Sequence, residues 1–322
     1  MSQPLLRIER LRVYYYSLRG IVKAVDDVEL ELNRGEVLGL AGESGCGKST
    51  LGFALLRLVP PPGRIVSGSI VFDGVDLVQL PEPVLRRDFR WKRISMIFQG
   101  AMNALNPVKT VGDQIAEAIM THEKDVTKEE ALERAKKLLE MVGIDPRRVK
   151  AYPHELSGGM KQRVVIAMAL ALNPDLVIAD EPTTALDVVV QAQIVNLLKK
   201  LKMERNMSLI LISHDLSLIA EMADKVAIMY AGKIVEFGPS DIIYENPAHP
   251  YTQLLIRSIP RLRGPKELVW IPGQPPDLRT PPPGCRFHPR CPYVMDVCRR
   301  DEPPTIEIER GHYVSCWLHM RR

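Results

Sequence analysis

The strongest constraint in this 322-residue chain is Gly42-Glu-Ser-Gly-Cys-Gly-Lys-Ser-Thr50. It fits the pattern G-x-x-x-x-G-K-S/T. It follows an apolar run, Val37–Ala41, and opens a predicted helix from Lys48 to Leu58 that Pro60-Pro61-Pro62-Gly63 ends. A strand-to-helix turn of this kind points successive backbone N–H groups inward and adds the positive end of a helix dipole, which makes a cradle for phosphate. Lys48 is placed to bridge the β- and γ-phosphates, and Ser49 to ligate Mg2+. Gly42, Ser44, Gly45, Cys46, Gly47, Lys48, Ser49 and Thr50 are therefore candidate nucleotide-binding residues. Cys46 has two readings. It is a small filler, or a thiol activated by the helix N-terminus that nucleotide would protect from alkylation.

The rest of the chain agrees with an α/β core. Apolar strands Asp175–Asp180, Ser208–Ser213 and Val226–Tyr230 alternate with helices Val188–Arg205 and Leu216–Ala223, which predicts a largely parallel sheet. Thr127-Lys-Glu-Glu130 reads as a capping box ahead of a helix ending near Gly143. Apolar residues make up 46% and charged residues 25%, which excludes disordered, collagen-like and coiled-coil chains. A net charge of +4 is too thin for a nucleic-acid footprint. The apolar run Val164–Leu172 falls far short of the ~20 residues of a membrane helix, and no signal-peptide pattern opens the chain. A cytoplasmic protein that reaches a membrane only through partners is expected.

Two further segments carry chemistry. Asp175-Leu-Val-Ile-Ala-Asp180-Glu181-Pro182 is an apolar strand that delivers Asp180 to a Mg2+ shell. It also places Glu181 where a base or water-orienting group must sit for attack on a γ-phosphate. In Leu156-Ser-Gly-Gly-Met-Lys-Gln-Arg163, Ser157 can cap a helix, while Gly158 and Gly159 allow close backbone approach to an anion. Alone this is an ordinary helix start. Beside a phosphate loop it suggests a nucleotide clasped between two subunits.

With these motifs the sequence resembles the nucleotide-binding subunits of ATP-binding cassette (ABC) transporters over residues 5–240. The order is Gly42–Thr50 (Walker A), Gln99 (Q-loop), Leu156–Gln162 (signature), Leu176–Glu181 (Walker B), Asp187 (D-loop) and His214 (H-loop). Met160 stands where the signature more often has Gln. The resemblance implies a P-loop ABC domain over 1–240: a mixed β-sheet core, an antiparallel β subdomain and a helical subdomain near 92–165. It implies ATP and Mg2+ as cofactors, with Ser49, Gln99 and Asp180 around the metal. Glu181, His214 and Gln99 would be catalytic, and Asp187 would lie at a dimer seam. Tyr15, with Tyr16 next, would stack on adenine. A groove near Gly100–Pro107 would receive a coupling helix of a permease.

The end of the chain differs in kind. Fourteen of 26 prolines lie after residue 240, and Cys285, Cys291, Cys298 and Cys316 fall in the last 40 residues. His249-Pro-Tyr-Thr-Gln-Leu-Leu and the segment Gly284–Cys298 resemble the C-terminal extension of dipeptide- and oligopeptide-permease ATPase subunits, here 241–322. The C-x5-C-x6-C-x17-C spacing leaves three readings: a zinc site, an iron–sulfur cluster, or free thiols or a disulfide. The resemblance points to a 4Fe–4S cluster, with Zn2+ the runner-up, acting as a structural staple; His288, His312 and His319 read as bystanders. The implied protein is an ATPase subunit driving import of di- or oligopeptides from the cytoplasmic face of the membrane. Its implied partners are a second, different ATPase subunit, two transmembrane permease subunits and, indirectly, an extracytoplasmic substrate-binding protein, with no nucleic acid. The same motor in a nickel or oligosaccharide importer is the alternative.

Overall fold

The computed structural model describes residues 3–100, 104–259 and 270–320. The chain forms two compact units, Met1–Val78 with Leu211–Arg322, and Gln79–Ile210.

The first unit begins with β1 (Leu6–Ser17) and β2 (Gly20–Leu32), then β3 (Val37–Ala41) and α1 (Lys48–Leu55), then β4 (Gly63–Phe72) and β5 (Val75–Asp76). β2, β1, β4 and β5 form an antiparallel sheet in that order. β3 is buried at every residue, the signature of a strand covered on both faces. α1 stops at Leu55, short of the predicted Leu58. The Leu56 and Leu58 N–H groups fold back on the Phe53 carbonyl, and Arg57 takes a left-handed φ of 51°.

The second unit carries α2 (Glu82–Val84), β6 (Ile94–Ile97), α3 (Val111–His122), α4 (Lys128–Met141), α5 (Gly158–Ala169), β7 (Leu176–Asp180) and α6 (Val188–Arg205). β6 and β7 pair in parallel, Ile97 opposite Ala179. The Thr127–Glu130 capping box forms as predicted at the start of α4. α6 ends on Asn206 in the left-handed conformation, φ 48°. The chain leaves this unit within β8 (Ser208–Ile212).

The first unit resumes with α7 (Leu216–Met222), β9 (Lys225–Tyr230), β10 (Lys233–Pro239), α8 (Ser240–Glu245), α9 (Pro250–Arg257), α10 (Asp296–Arg300), β11 (Ile306–Glu309) and β12 (His312–Val314). β9 runs parallel to β3 and turns antiparallel into β10. β12 pairs with β10, Glu236 opposite Val314, and β11 with β12. The sheet is thus mixed, as the resemblance implied, and less uniformly parallel than the alternation of strands and helices alone suggested. The Cys-rich end, read from sequence as Pro-rich and different in kind, supplies two strands to it.

Candidate functional site

The phosphate loop sits at the end of β3. Lys48 is buried, and its Nζ donates to the Gly42 carbonyl at 2.6 Å and the Glu43 carbonyl at 3.1 Å. Two glycines are obligatory for steric reasons. A Cβ on Gly42 (φ 150°) would lie 2.1 Å from the Met229 carbonyl oxygen, and one on Gly47 (φ 112°) 2.0 Å from that of Ala24. Ser44 and Gly45 form the exposed tip, and Ser49 and Thr50 enter α1 half-buried. Cys46 is buried, and that burial pushes its thiol up against the opposing pull of Lys48. The activated-thiol reading is therefore corrected: desolvation outweighs the helix N-terminus.

The three tyrosines diverge. The Tyr15 hydroxyl lies 3.3 Å from Thr50 Oγ1, at the phosphate loop. The Tyr16 ring is covered by the Arg64 guanidinium, 4.1 Å from its centroid. The Tyr14 hydroxyl donates to Asp26 at 2.5 Å. The Ser213 N–H donates to the Leu40 carbonyl at 3.2 Å, which sets exposed His214 beside the end of β3. Asp215 then caps α7.

In the second unit, Asp180 closes β7 with 1% exposure, and Gln99 follows two residues after β6. Gln99, Asp180 and Glu181 therefore leave the carboxyl ends of one parallel pair, where open α/β sheets bind ligands. Glu181 has a φ of 50°, a strained position for a non-glycine residue, and its Oε2 accepts from the Thr184 hydroxyl at 3.2 Å. Ser157 Oγ accepts from the Met160 N–H at 3.3 Å, so Gly158 and Gly159 form the first turn of α5. A Cβ on Gly159 would lie 2.7 Å from Val190 Cγ1. Asp187 caps α6 through the Val190 N–H at 2.9 Å. Part of the groove expected at Gly100–Pro107 lies outside the described residues.

None of the four extension cysteines is joined in a disulfide. Burial pushes Cys285 up to about 11 and Cys316 up to about 12, and in each case neighbouring cysteines of the set push the same way. The Cys285 N–H donates to the Cys298 carbonyl at 2.9 Å. Among the described residues no group of three or more His, Cys, Asp or Glu side chains is arranged to hold a metal ion. The metal-binding character expected of the extension is therefore not carried by the geometry: the sulfurs lie within electrostatic reach of one another but form no ready-made ion site. The histidines serve as structural partners. His312 Nε2 meets Glu236 at 2.8 Å, His319 Nε2 meets the Ala248 carbonyl at 2.9 Å, and His288 Nδ1 meets the Cys285 carbonyl at 3.0 Å.

Sequence reasoning missed the contacts between extension and loop. Arg290, one residue before Cys291, forms a two-bond fork with Glu43, at 2.6 and 2.9 Å. Tyr251 accepts the Glu43 N–H on its hydroxyl at 2.9 Å. Arg286, one residue after Cys285, pairs with Asp26 and donates to the Ala231 carbonyl. Buried Glu236 accepts from the Ala248 and His249 N–H groups at 2.7 and 3.0 Å. The available signal was the spacing of two arginines inside the Cys285–Cys291 loop and the His-Pro-Tyr run, which starts α9 with a cap and a proline.

Residues 25–184 match the family described as ABC transporter, and residues 235–298 the oligopeptide/dipeptide transporter C-terminal region. The chain is 50% identical to the oligopeptide transport ATP-binding protein OppD of Bacillus subtilis, over 98% of this chain and 88% of that one. It is 47% identical to the dipeptide transport ATP-binding protein DppD of the same organism, over 99% and 96%. It is also 47% identical to OppD of Escherichia coli, over 98% and 94%. Among solved structures, the post-hydrolysis dimer of the ATP-binding cassette MJ0796 bound to ADP and Pi superimposes with a TM-score of 0.64. It shares 28% identity and covers 73% of this chain and 98% of that one. The chain belongs to the ABC transporter family, among ATP-binding proteins of the oligopeptide and dipeptide type.

Proposed function

We propose that this chain is the ATP-hydrolysing subunit of an importer of di- or oligopeptides. The observation that carries the reading is a near full-length likeness to oligopeptide and dipeptide transport ATP-binding proteins, joined to an extension matching that transporter group over residues 235–298. The extension match favours peptides over nickel or oligosaccharides as cargo.

ATP would lie on the phosphate loop, with Lys48 and the loop N–H groups on its phosphates and Tyr15 against adenine. Ser49, Asp180 and Gln99 would face Mg2+, and Glu181 would orient the attacking water. His214 would meet the γ-phosphate, and the Ser157–Gly159 turn of a partner cassette would close over it, with Asp187 at the seam. Residues 1–240 form the proposed cassette, with its helical subdomain near 92–165, and 241–322 the extension. The partner cassette, two permease subunits and a substrate-binding protein complete the proposed assembly at the cytoplasmic face of the membrane. No helix among the described residues is long and apolar enough to cross it.

The Cys285, Cys291, Cys298 and Cys316 set is proposed to hold a 4Fe–4S cluster. The support is the resemblance of the Gly284–Cys298 segment to the extension of dipeptide- and oligopeptide-permease ATPase subunits, a region within the match over residues 235–298. When bound, such a cluster would cross-link the extension; iron and acid-labile sulfide analysis of anaerobically purified protein reads it.

Glu181→Gln tests the motor. It should retain ATP while turnover falls about 10²–10⁴-fold, the range for loss of a general base. Wild-type hydrolysis in that variant refutes the assignment.

A further inference from the structure

The C-terminal extension grips the phosphate loop at one residue. Glu43, second in the loop, is fixed at three points. Its N–H donates to the Tyr251 hydroxyl at 2.9 Å, its carboxylate takes the Arg290 fork at 2.6 and 2.9 Å, and its carbonyl accepts from Lys48 Nζ at 3.1 Å. Arg290 is itself held, donating from Nε to the Pro272 carbonyl at 2.7 Å and from Nη1 to the Tyr230 hydroxyl at 3.3 Å. Its side chain is 5% exposed. Tyr251 is buried and packs on Tyr230 and Phe287, with ring centroids 4.6 and 5.4 Å apart.

A carboxylate is a poor neighbour for a triphosphate. Unpaired, it would repel the ligand that the loop is built to hold. The two-bond fork neutralises that charge in a partly buried setting, where a charge-assisted pair is strong and its geometry fixed. The guanidinium and the tyrosine hydroxyl also immobilise the backbone from which Lys48 is placed.

The geometry points to Arg290 and Tyr251 as positioning residues for nucleotide binding: they neutralise and orient Glu43, and through it the phosphate loop. The extension therefore sets the affinity of the loop for ATP. This inference rests on the loop being the ATP site.

The test uses the full chain and a fluorescent ATP analogue with Mg2+. Dissociation constants are measured together with amide exchange across residues 42–48 in the absence of nucleotide. Arg290→Ala should weaken binding about tenfold, the size expected for losing a charge-assisted pair. It should also speed exchange in the loop. Adding Glu43→Gln, which removes the unpaired charge, should recover most of the affinity. Tyr251→Phe, which deletes one oxygen, should speed exchange at Glu43. Arg147→Ala, in an exposed surface pair, should change neither reading.

Wild-type affinity and exchange in Arg290→Ala overturn the inference. So does an affinity loss that Glu43→Gln leaves unrelieved, because lost folding alone would not respond to the charge at Glu43. If Arg290→Ala does not fold, Tyr251→Phe decides, and unchanged exchange at Glu43 overturns it. A wild-type chain that takes up no nucleotide refutes the proposed function instead, and loop exchange still reads the clamp.

Discussion

Arg286 and Asp26, 260 residues apart in the chain, form an ion pair whose side chains are only 8% and 12% exposed. Asp26 also accepts from Tyr14. Burial pushes its carboxyl up, but the bonds from Tyr14 and Arg286 outweigh that and hold it below the usual range. Arg286→Ala removes the most buried cationic partner of Asp26 and leaves it the Tyr14 hydroxyl and Arg12 at 3.6 Å, so unfolding stability in urea should fall by about 1–3 kcal/mol. Arg286→Met with Asp26→Leu should cost much less, because no charge is left unpaired. Equal losses in the two proteins would remove the ion pair from this account.

Stability should fall with acid through His249. Burial pushes its imidazole down to about 4, against about 6.5 in an unfolded chain. Between those values the unfolded chain takes up a proton that the folded chain refuses. The contribution is therefore intact above about pH 6.5 and lost progressively toward pH 4, by about 3 kcal/mol in all. The neutral form is built in, because Nδ1 accepts the Tyr251 N–H at 3.0 Å as the cap of α9. His249→Asn keeps a capping acceptor without titrating. Melting temperature against pH should be flatter in that variant, and an unchanged slope would place the titration elsewhere.

Gly39 has no room for a side chain. A Cβ there would lie 2.2 Å from Ile219 Cγ2 on α7, the helix packed against β3, and 3.1 Å from Cβ of Ala223 just past its end. Gly39→Ala should lower stability by about 1–3 kcal/mol, the usual cost of overpacking. Ile219→Ala removes the clashing methyl, so the double variant should fare better than the sum of the two single losses. Strict additivity would mean that the two residues do not meet as described.

Cys291→Ser probes the extension. If a cluster cross-links its four sulfurs, this change should lower the melting temperature of the anaerobic protein more than it slows ATP turnover, with loss of bound iron. Unchanged melting and iron content would rule out Cys291 as a ligand.

Local features were legible in the sequence and distant ones were not. The Gly42–Thr50 turn, the Thr127–Glu130 box and the Val188–Arg205 helix each depend on residues a few positions apart, and each forms where the pattern put it. The end of α1 was misjudged because a left-handed Arg57 has no sequence mark as plain as glycine or proline. β11 and β12 are short, and Ile306, Ile308 and Val314 give their alternation too few residues to stand out. The two readings of Cys46 could not be separated from sequence, because the burial that favours a small filler depends on how the loop folds over it. Arg290 and Glu43 are 247 residues apart, and only the folded chain brings them together.

The pairing of β12 on β10 bears on any attempt to shorten the protein. A chain cut after Pro239 would keep every nucleotide-binding motif yet lose the strand hydrogen-bonded to Glu236 and Phe237. The bare rim left behind would invite pairing with the same rim on another molecule. Trimming the chain to its nucleotide-binding motifs would thus trade a covered strand for self-association.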